Sequence, residues 1–144
     1  MFENNAAKIL YVDNDFESCE FVMNSFKKNE ESCEIKTVTS VPQALLLINN
    51  DPFDLYIFDY CLLEMTGAEL CRKIRAEDRK TPIVIYSALY REIDREMAMN
   101  SGANAFIVKS DGFYNLSTTV RRFLNRPPVI SRNYHSARRS SSII

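Results

Sequence analysis

Residues 8–15 read Lys-Ile-Leu-Tyr-Val-Asp-Asn-Asp, a short apolar run that ends directly in three polar residues, two of them acidic. Three later runs, also rich in Val, Ile, Tyr and Phe, each end at one polar side chain. These runs are residues 55–58, 83–86 and 106–108, followed by Asp59, Ser87 and Lys109. Runs of this length and composition are typical of buried parallel strands. The repeated pattern predicts a sheet whose strands deliver polar groups at their carboxyl ends.

Segments of helical periodicity separate these strands from one another and from a fifth, at residues 35–38. The first helix is indicated by apolar residues at Cys19, Val22, Met23 and Phe26. A second helix is predicted at residues 44–48, after a capping pair formed by Ser40 and Gln43. Leu70 and Ile74 indicate a third helix, and Ile93 and Met97 are the apolar pair of a fourth at residues 92–100. Leu116, Val120 and Phe123 indicate a fifth. Strands that alternate with helices predict an α/β fold, a (βα)5 doubly wound five-stranded parallel sheet with right-handed crossovers.

Composition excludes several classes of protein. The chain has 144 residues, enough for one domain, and its formal net charge of −1 names no partner. Three scattered glycines cannot form a phosphate-binding glycine loop, and a single histidine excludes a multi-histidine metal site. Four cysteines without a C-x-x-C pair indicate reduced thiols, and hence a cytoplasmic protein. No apolar run reaches the length of a membrane span.

The chain divides into a folded domain, residues 1–125, and a basic C-terminal tail, residues 126–144. Residues 112–144 contain six arginines and neither lysine nor any acidic residue, and two consecutive prolines, Pro127 and Pro128, stop the last helix. The tail is rich in Ser and Arg and is too short to be a DNA-binding output domain. We expect no such domain in this chain.

The carboxyl ends of parallel strands are where open α/β sheets bind ligands. Asp13, Asp59, Ser87 and Lys109 should therefore converge on one edge of the sheet. Clustered carboxylates repel each other unless a cation lies among them, and Mg2+ prefers oxygen ligands. One carboxylate could attack phosphorus while a metal and an ammonium neutralise the developing charge. Asn14 and Asp15 have a second interpretation, because either could cap the first helix.

The residues at 9–13, Asp59 with Gly67 eight positions later, Ser87-Ala88 and Lys109 together resemble the pattern of response-regulator receiver domains. The resemblance spans residues 8–124 and implies a flavodoxin-like strand order, 2-1-3-4-5. It implies that Asp59 accepts a phosphoryl group from a sensor histidine kinase or a phosphotransfer protein, with Mg2+ as cofactor. The implied metal site comprises Asp13, the Asn14 position, Asp59 and the backbone carbonyl of Cys61. Lys109 would contact the phosphoryl group, and Ser87 and Phe106 would be the switch residues.

Three positions depart from the family pattern. Asn14 stands where a second acid is usual, which removes one charge from the metal site. Leu63 and Ser110 each replace a proline, the second at a position where the family usually has a cis peptide bond. The metal site is therefore divergent, while the expected fold is unaffected.

Two alternatives remain beside the phosphoacceptor. The first is a pseudo-receiver, an interaction module that is not phosphorylated because Asn14 weakens the metal site. The second, more distant, is a phosphatase of the haloacid-dehalogenase type built on Asp13 and Asp15, which leaves Asp59 without a role. A stand-alone receiver would contact a downstream protein, or a second copy of itself, through its fourth helix, fifth strand and fifth helix at about residues 91–124.

Overall fold

A computed structural model describes residues 6–30 and 32–125. The predicted basic tail lies outside these residues. Strands and helices alternate in the order β1 (Ala7–Val12), α1 (Phe16–Asn29), β2 (Cys33–Val38), α2 (Val41–Asn50), β3 (Leu55–Phe58), α3 (Gly67–Arg75), β4 (Ile83–Ser87), α4 (Glu92–Asn100), β5 (Ala105–Val108) and α5 (Phe113–Leu124), with a 3-10 turn (Lys109–Asp111) before α5. This confirms the predicted alternation, and the residues between 44 and 48 prove to be the middle of a longer helix.

The five strands form one parallel sheet in the order β2-β1-β3-β4-β5, which confirms the predicted fold class. The order places β1 and β3 side by side at the centre, with Val12 opposite Phe58. Asp13 and Asp59 directly follow these two residues, so the register alone brings the two acids next to each other at the carboxyl edge.

The two faces of the sheet bury separate apolar clusters because alternate residues of a strand point to opposite faces. On β1, Ile9 and Tyr11 face α1 and α5, whereas Leu10 and Val12 face α2, α3 and α4. All four side chains are fully buried. The central strands are thus held from both sides, as parallel sheets generally are.

The fourth helix differs from the sequence-based expectation. Ile93 and Met97 were predicted to be its buried pair, but their side chains are exposed. The buried positions are Asp94 and Ala98, which have the same four-residue spacing one position later. Asp94 can be buried because Arg91 donates two hydrogen bonds to its carboxylate, at 2.7 and 2.9 Å.

A buried ion pair joins the end of α1 to α5. Glu30, the residue directly after α1, accepts a hydrogen bond from the Arg121 guanidinium, and both residues are buried. Burial raises the pKa of Glu30, and the neighbouring Arg121 opposes that rise.

None of the helices in residues 6–30 and 32–125 is long and apolar enough to cross a membrane.

Candidate functional site: an acid cluster at the carboxyl edge of the sheet

Asp13, Asp59 and Lys109 meet at the carboxyl edge of the sheet, and we refer to these three residues as the acid cluster. The Lys109 ammonium lies 2.7 Å from Asp13 Oδ2 and 3.5 Å from Asp59 Oδ1. Both acids are buried, Asp13 to 1% exposure and Asp59 to 7%. One cation therefore lies between two buried anions.

Burial and crowding change the proton affinity of this cluster. Burial, together with the charge of Asp13, raises the pKa of Asp59 from 3.8 to about 6, although Lys109 opposes the rise. Burial alone would lower the pKa of Lys109, but the hydrogen bond to Asp13 and the charge of Asp59 raise it above its usual value. Lys109 therefore stays protonated near neutral pH, and the cluster keeps an excess of one negative charge once Asp59 is ionised.

Asp13 is held by three donors. Its Oδ2 accepts hydrogen bonds from Lys109 and from the Tyr11 hydroxyl, the latter at 2.6 Å, and its Oδ1 accepts one from the Asp15 backbone N–H at 2.9 Å. Tyr11 was not among the residues predicted for this site. A signal was available, because residues two apart on a strand share a face of the sheet.

Asp15 caps α1. Its carboxylate accepts a hydrogen bond from the Glu17 backbone N–H at 3.3 Å and another from the Ser18 hydroxyl at 2.8 Å. The bond from Ser18 lowers the pKa of Asp15. Of the two interpretations that the sequence left open, the capping one is confirmed for Asp15. Asn14, in the position of the missing acid, is exposed.

The loop after Asp59 packs tightly against the start of α3. The Gly67 N–H donates a 2.6 Å hydrogen bond to the Tyr60 carbonyl oxygen. A Cβ atom at Gly67 would lie 2.5 Å from the Asp59 carbonyl oxygen, closer than any side chain can approach. The glycine eight residues after Asp59 is thus explained by lack of space. Cys61 in this loop is exposed, and it forms an isolated antiparallel bridge with Thr66.

The predicted switch residues, Ser87 and Phe106, contact residues other than those of the acid cluster. Ser87 ends β4 and is buried, and its hydroxyl donates to the Leu89 carbonyl oxygen at 2.8 Å. Phe106 on β5 is half-buried between two tyrosines, with ring centroids 6.2 Å from both Tyr60 and Tyr90. Tyr60 follows Asp59 directly, so these rings link the acid cluster to the segment before α4.

The predicted site is therefore brought together in part. The two buried acids and the lysine converge, whereas the Asn14 and Asp15 side chains are turned to solvent and to the α1 cap. The described residues contain no group of three or more His, Cys, Asp or Glu side chains placed to hold a metal ion. Two carboxylates are nevertheless within the usual protein contribution to a Mg2+ site, where waters supply the remaining ligands. The donor set fits Mg2+, with fewer charged ligands than the family pattern provides.

Comparison with known proteins identifies the family of this arrangement. The family model of the response regulator receiver domain matches residues 9–121, and the chain belongs to that family. The response regulator ArlR of Staphylococcus epidermidis is 38% identical over 77 residues, which are 54% of this chain and 35% of ArlR. The match thus spans about a third of the length of that relative.

Solved structures agree with this assignment. A two-component response regulator from Clostridium difficile superposes with a TM-score of 0.75 at 27% identity, over 83% of this chain and 97% of that one. The response regulator TrrA of Thermotoga maritima, determined in complex with Mg2+-BeF, gives a TM-score of 0.72 at 25% identity, over 81% of this chain and 98% of that one. The chain is a receiver domain of the two-component type.

Proposed function

We propose that this receiver domain is a phosphoacceptor in a two-component phosphorelay, with Asp59 as the residue that receives the phosphoryl group. The observation that carries the proposal is the pair of buried carboxylates, Asp13 and Asp59, that share the single ammonium of Lys109. Such an excess of negative charge costs stability, and arrangements of this kind are concentrated at functional sites. The donor would be the phosphohistidine of a sensor kinase or a phosphotransfer protein.

In the transfer step, an Asp59 carboxylate oxygen attacks the phosphorus atom. The new O–P bond forms as the N–P bond of the donor histidine breaks, and the imidazole nitrogen keeps the electron pair. With its pKa near 6, Asp59 is mostly ionised at neutral pH and is available as the nucleophile. Lys109 would pair with the phosphoryl oxygens, and Ser87 would turn from Leu89 to donate to them.

Asp13, Asp59 and the backbone carbonyl of Cys61 would hold Mg2+, with Asn14 adding at most an amide oxygen. When bound, the ion would neutralise the phosphoryl oxygens during transfer. Because Asn14 stands where a second acid is usual, we expect weaker Mg2+ binding than in receivers that have that acid.

The downstream surface of the domain would be the face formed by α4, β5 and α5, within residues 91–124. Apolar side chains are exposed on and just before α4, namely Leu89, Tyr90, Ile93 and Met97. Phe106 packs against Tyr60 and Tyr90 between this surface and the acid cluster. A change in the packing of Phe106 on phosphorylation would alter how a downstream protein, or a second copy of the chain, binds there.

A second candidate function is an interaction module that is not phosphorylated. It is favoured by the exposed Asn14 and by Lys109, which already compensates part of the charge of both acids. The phosphatase hypothesis has no comparable support, because Asp15 caps α1 and the chain belongs to the receiver family.

The test is incubation with acetyl phosphate, with and without Mg2+, followed by intact-mass measurement. We expect one phosphoryl adduct that requires Mg2+ and is lost in Asp59→Ala. Asp54→Ala is the matched control, because Asp54 directly precedes β3, at the opposite end from Asp59, and is exposed. Absence of an adduct on the wild-type chain would support the unphosphorylated module. Turnover that survives Asp59→Ala and is lost in Asp13→Ala would support the phosphatase.

A further inference from the structure

Tyr11 is a polar residue in the interior of the sheet that the proposed chemistry does not use. It lies on β1 and is fully buried, and its hydroxyl donates a 2.6 Å hydrogen bond to Asp13 Oδ2. A buried phenol needs a partner for its hydroxyl, and most strand positions that face a core carry an aliphatic side chain instead. The hydroxyl at this position therefore calls for an explanation beyond packing.

The hydrogen bond matters because it contributes to fixing the rotation of the Asp13 carboxylate. Tyr11 and Lys109 donate to Oδ2, and the Asp15 backbone N–H donates to Oδ1. An ionised carboxylate has about four lone-pair sites, so three donors leave about one for a further ligand. Asp13 is thus oriented before any ligand binds.

Tyr11 and Lys109 hold Asp13 in different ways. The ammonium is shared with Asp59, and it ends a flexible side chain that would move towards incoming phosphoryl oxygens. The Tyr11 ring is fixed by edge-on packing against Tyr86, with centroids 6.4 Å apart. The bond from Tyr11 therefore persists when Lys109 turns to another partner.

Resting on the phosphoacceptor function proposed above, we propose that Tyr11 is a positioning residue for divalent-cation binding. Its hydroxyl holds Asp13 in the orientation in which the carboxylate can accept the ion. The hydrogen bond matters more in this chain because Asn14 supplies no carboxylate, which leaves Asp13 and Asp59 as the acids of the site. Groups that hydrogen-bond to a metal's ligands typically change metal affinity by about 10–100-fold when they are removed.

The test compares Tyr11→Phe with the wild-type chain by calorimetric titration with MgCl2, and then by the Mg2+ dependence of adduct formation from acetyl phosphate. Removal of the hydroxyl should raise the Mg2+ dissociation constant about tenfold. The Mg2+ concentration for half-maximal adduct formation should rise by the same factor. The rate at saturating Mg2+ should change by less than about threefold, since Tyr11 does not touch the transferred group.

Tyr86→Phe is the matched control, because it removes a hydroxyl from the ring that packs against Tyr11, and its Mg2+ affinity should equal that of the wild type. Tyr11→Leu gives a second variant without the hydroxyl in case one of the two folds poorly, as judged by circular dichroism. A Tyr11→Phe affinity within twofold of the wild type would overturn the positioning role, as would an equal loss in Tyr86→Phe. Failure of the wild-type chain to bind Mg2+ would overturn the proposed function, and this role with it.

Discussion

The molecule buries charged side chains at both edges of its sheet, and the two groups are built differently. At the amino edge, Glu30 faces Arg121, one anion against one cation. At the carboxyl edge, Asp13 and Asp59 share the single cation of Lys109. The first group is balanced and serves to join α1 to α5. The second keeps surplus negative charge, which only a proton or a further cation can offset, and imbalances of this kind are concentrated at functional sites.

Breaking the balanced pair should have the largest effect on stability. Arg121→Ala leaves the Glu30 carboxylate buried without its cation, and removal of one partner of a buried pair typically costs about 3–5 kcal/mol. The free energy of unfolding, from urea denaturation at pH 7.5, measures the loss. Arg122→Ala, at the exposed neighbouring position, should have little effect. A loss for Arg121→Ala as small as that of Arg122→Ala would contradict the structural role.

Removing one acid from the unbalanced cluster should stabilise the protein. Asp59→Asn eliminates a carboxylate whose pKa lies near 6 because of burial and the charge of Asp13. A rise of this size corresponds to a gain of about 1–3 kcal/mol in the free energy of unfolding at pH 7.5.

The pH dependence of that gain follows from the sign of the shift. The folded state binds the proton of Asp59 more tightly than the unfolded state, so the contribution of Asp59 to the free energy of unfolding falls as pH rises from about 4 to about 6. The advantage of Asp59→Asn should therefore be complete above pH 6 and absent below about pH 4. Urea denaturation across this range checks it. If Asp59→Asn gained as much free energy of unfolding at pH 3.5 as at pH 7.5, the raised pKa of Asp59 would be contradicted.

Removing the shared cation should increase the surplus of negative charge at the carboxyl edge. In Lys109→Met the two acids repel each other without compensation, so the pKa of Asp59 should rise further, by about one unit. Carboxyl carbon NMR titration of the Asp59 side chain measures it. Lys36→Met, which removes a more exposed lysine 3.9 Å from Asp51, should leave the Asp59 titration unchanged.

The smallest effect is expected at Asp15, which lies beside the acid cluster but belongs to the α1 cap. Asp15→Ala should lower the melting temperature by a few degrees, because the Glu17 backbone N–H and the Ser18 hydroxyl lose their acceptor. The calorimetric Mg2+ titration should match that of the wild type. A weakened Mg2+ titration would show that Asp15 belongs to the metal site after all.

Sequence patterns predicted the sheet and the convergence of Asp13, Asp59 and Lys109, because each residue directly follows an apolar run. The same reasoning went wrong at α4. There the four-residue spacing fits two pairs equally well, and hydrophobicity favoured Ile93 and Met97. Asp94 is buried instead, because Arg91 neutralises it. A burial pattern that depends on a paired charge cannot be found from apolar periodicity.

Other features depend on contacts between distant parts of the chain. Glu30 and Arg121 are 91 positions apart, and neither lies in a motif that indicates the other. The sequence left open whether the Asp15 side chain belongs to the predicted metal site or caps α1. The structure places Asp15 at the N-cap of α1, where its carboxylate accepts from the Glu17 backbone N–H. Tyr11 could have been found, because its strand position shares a face with Asp13.

Gly67 shows how a position can be restricted without any chemical role. Its missing side chain makes room for a carbonyl oxygen of the residue that would react, and every other amino acid would force these two backbone segments apart. A saturation-mutagenesis profile of this chain would therefore rank position 67 among the least tolerant, beside residues that bear charge or donate protons. A position can be intolerant to substitution because it is crowded or because its side chain is reactive. Only the three-dimensional structure distinguishes these two causes.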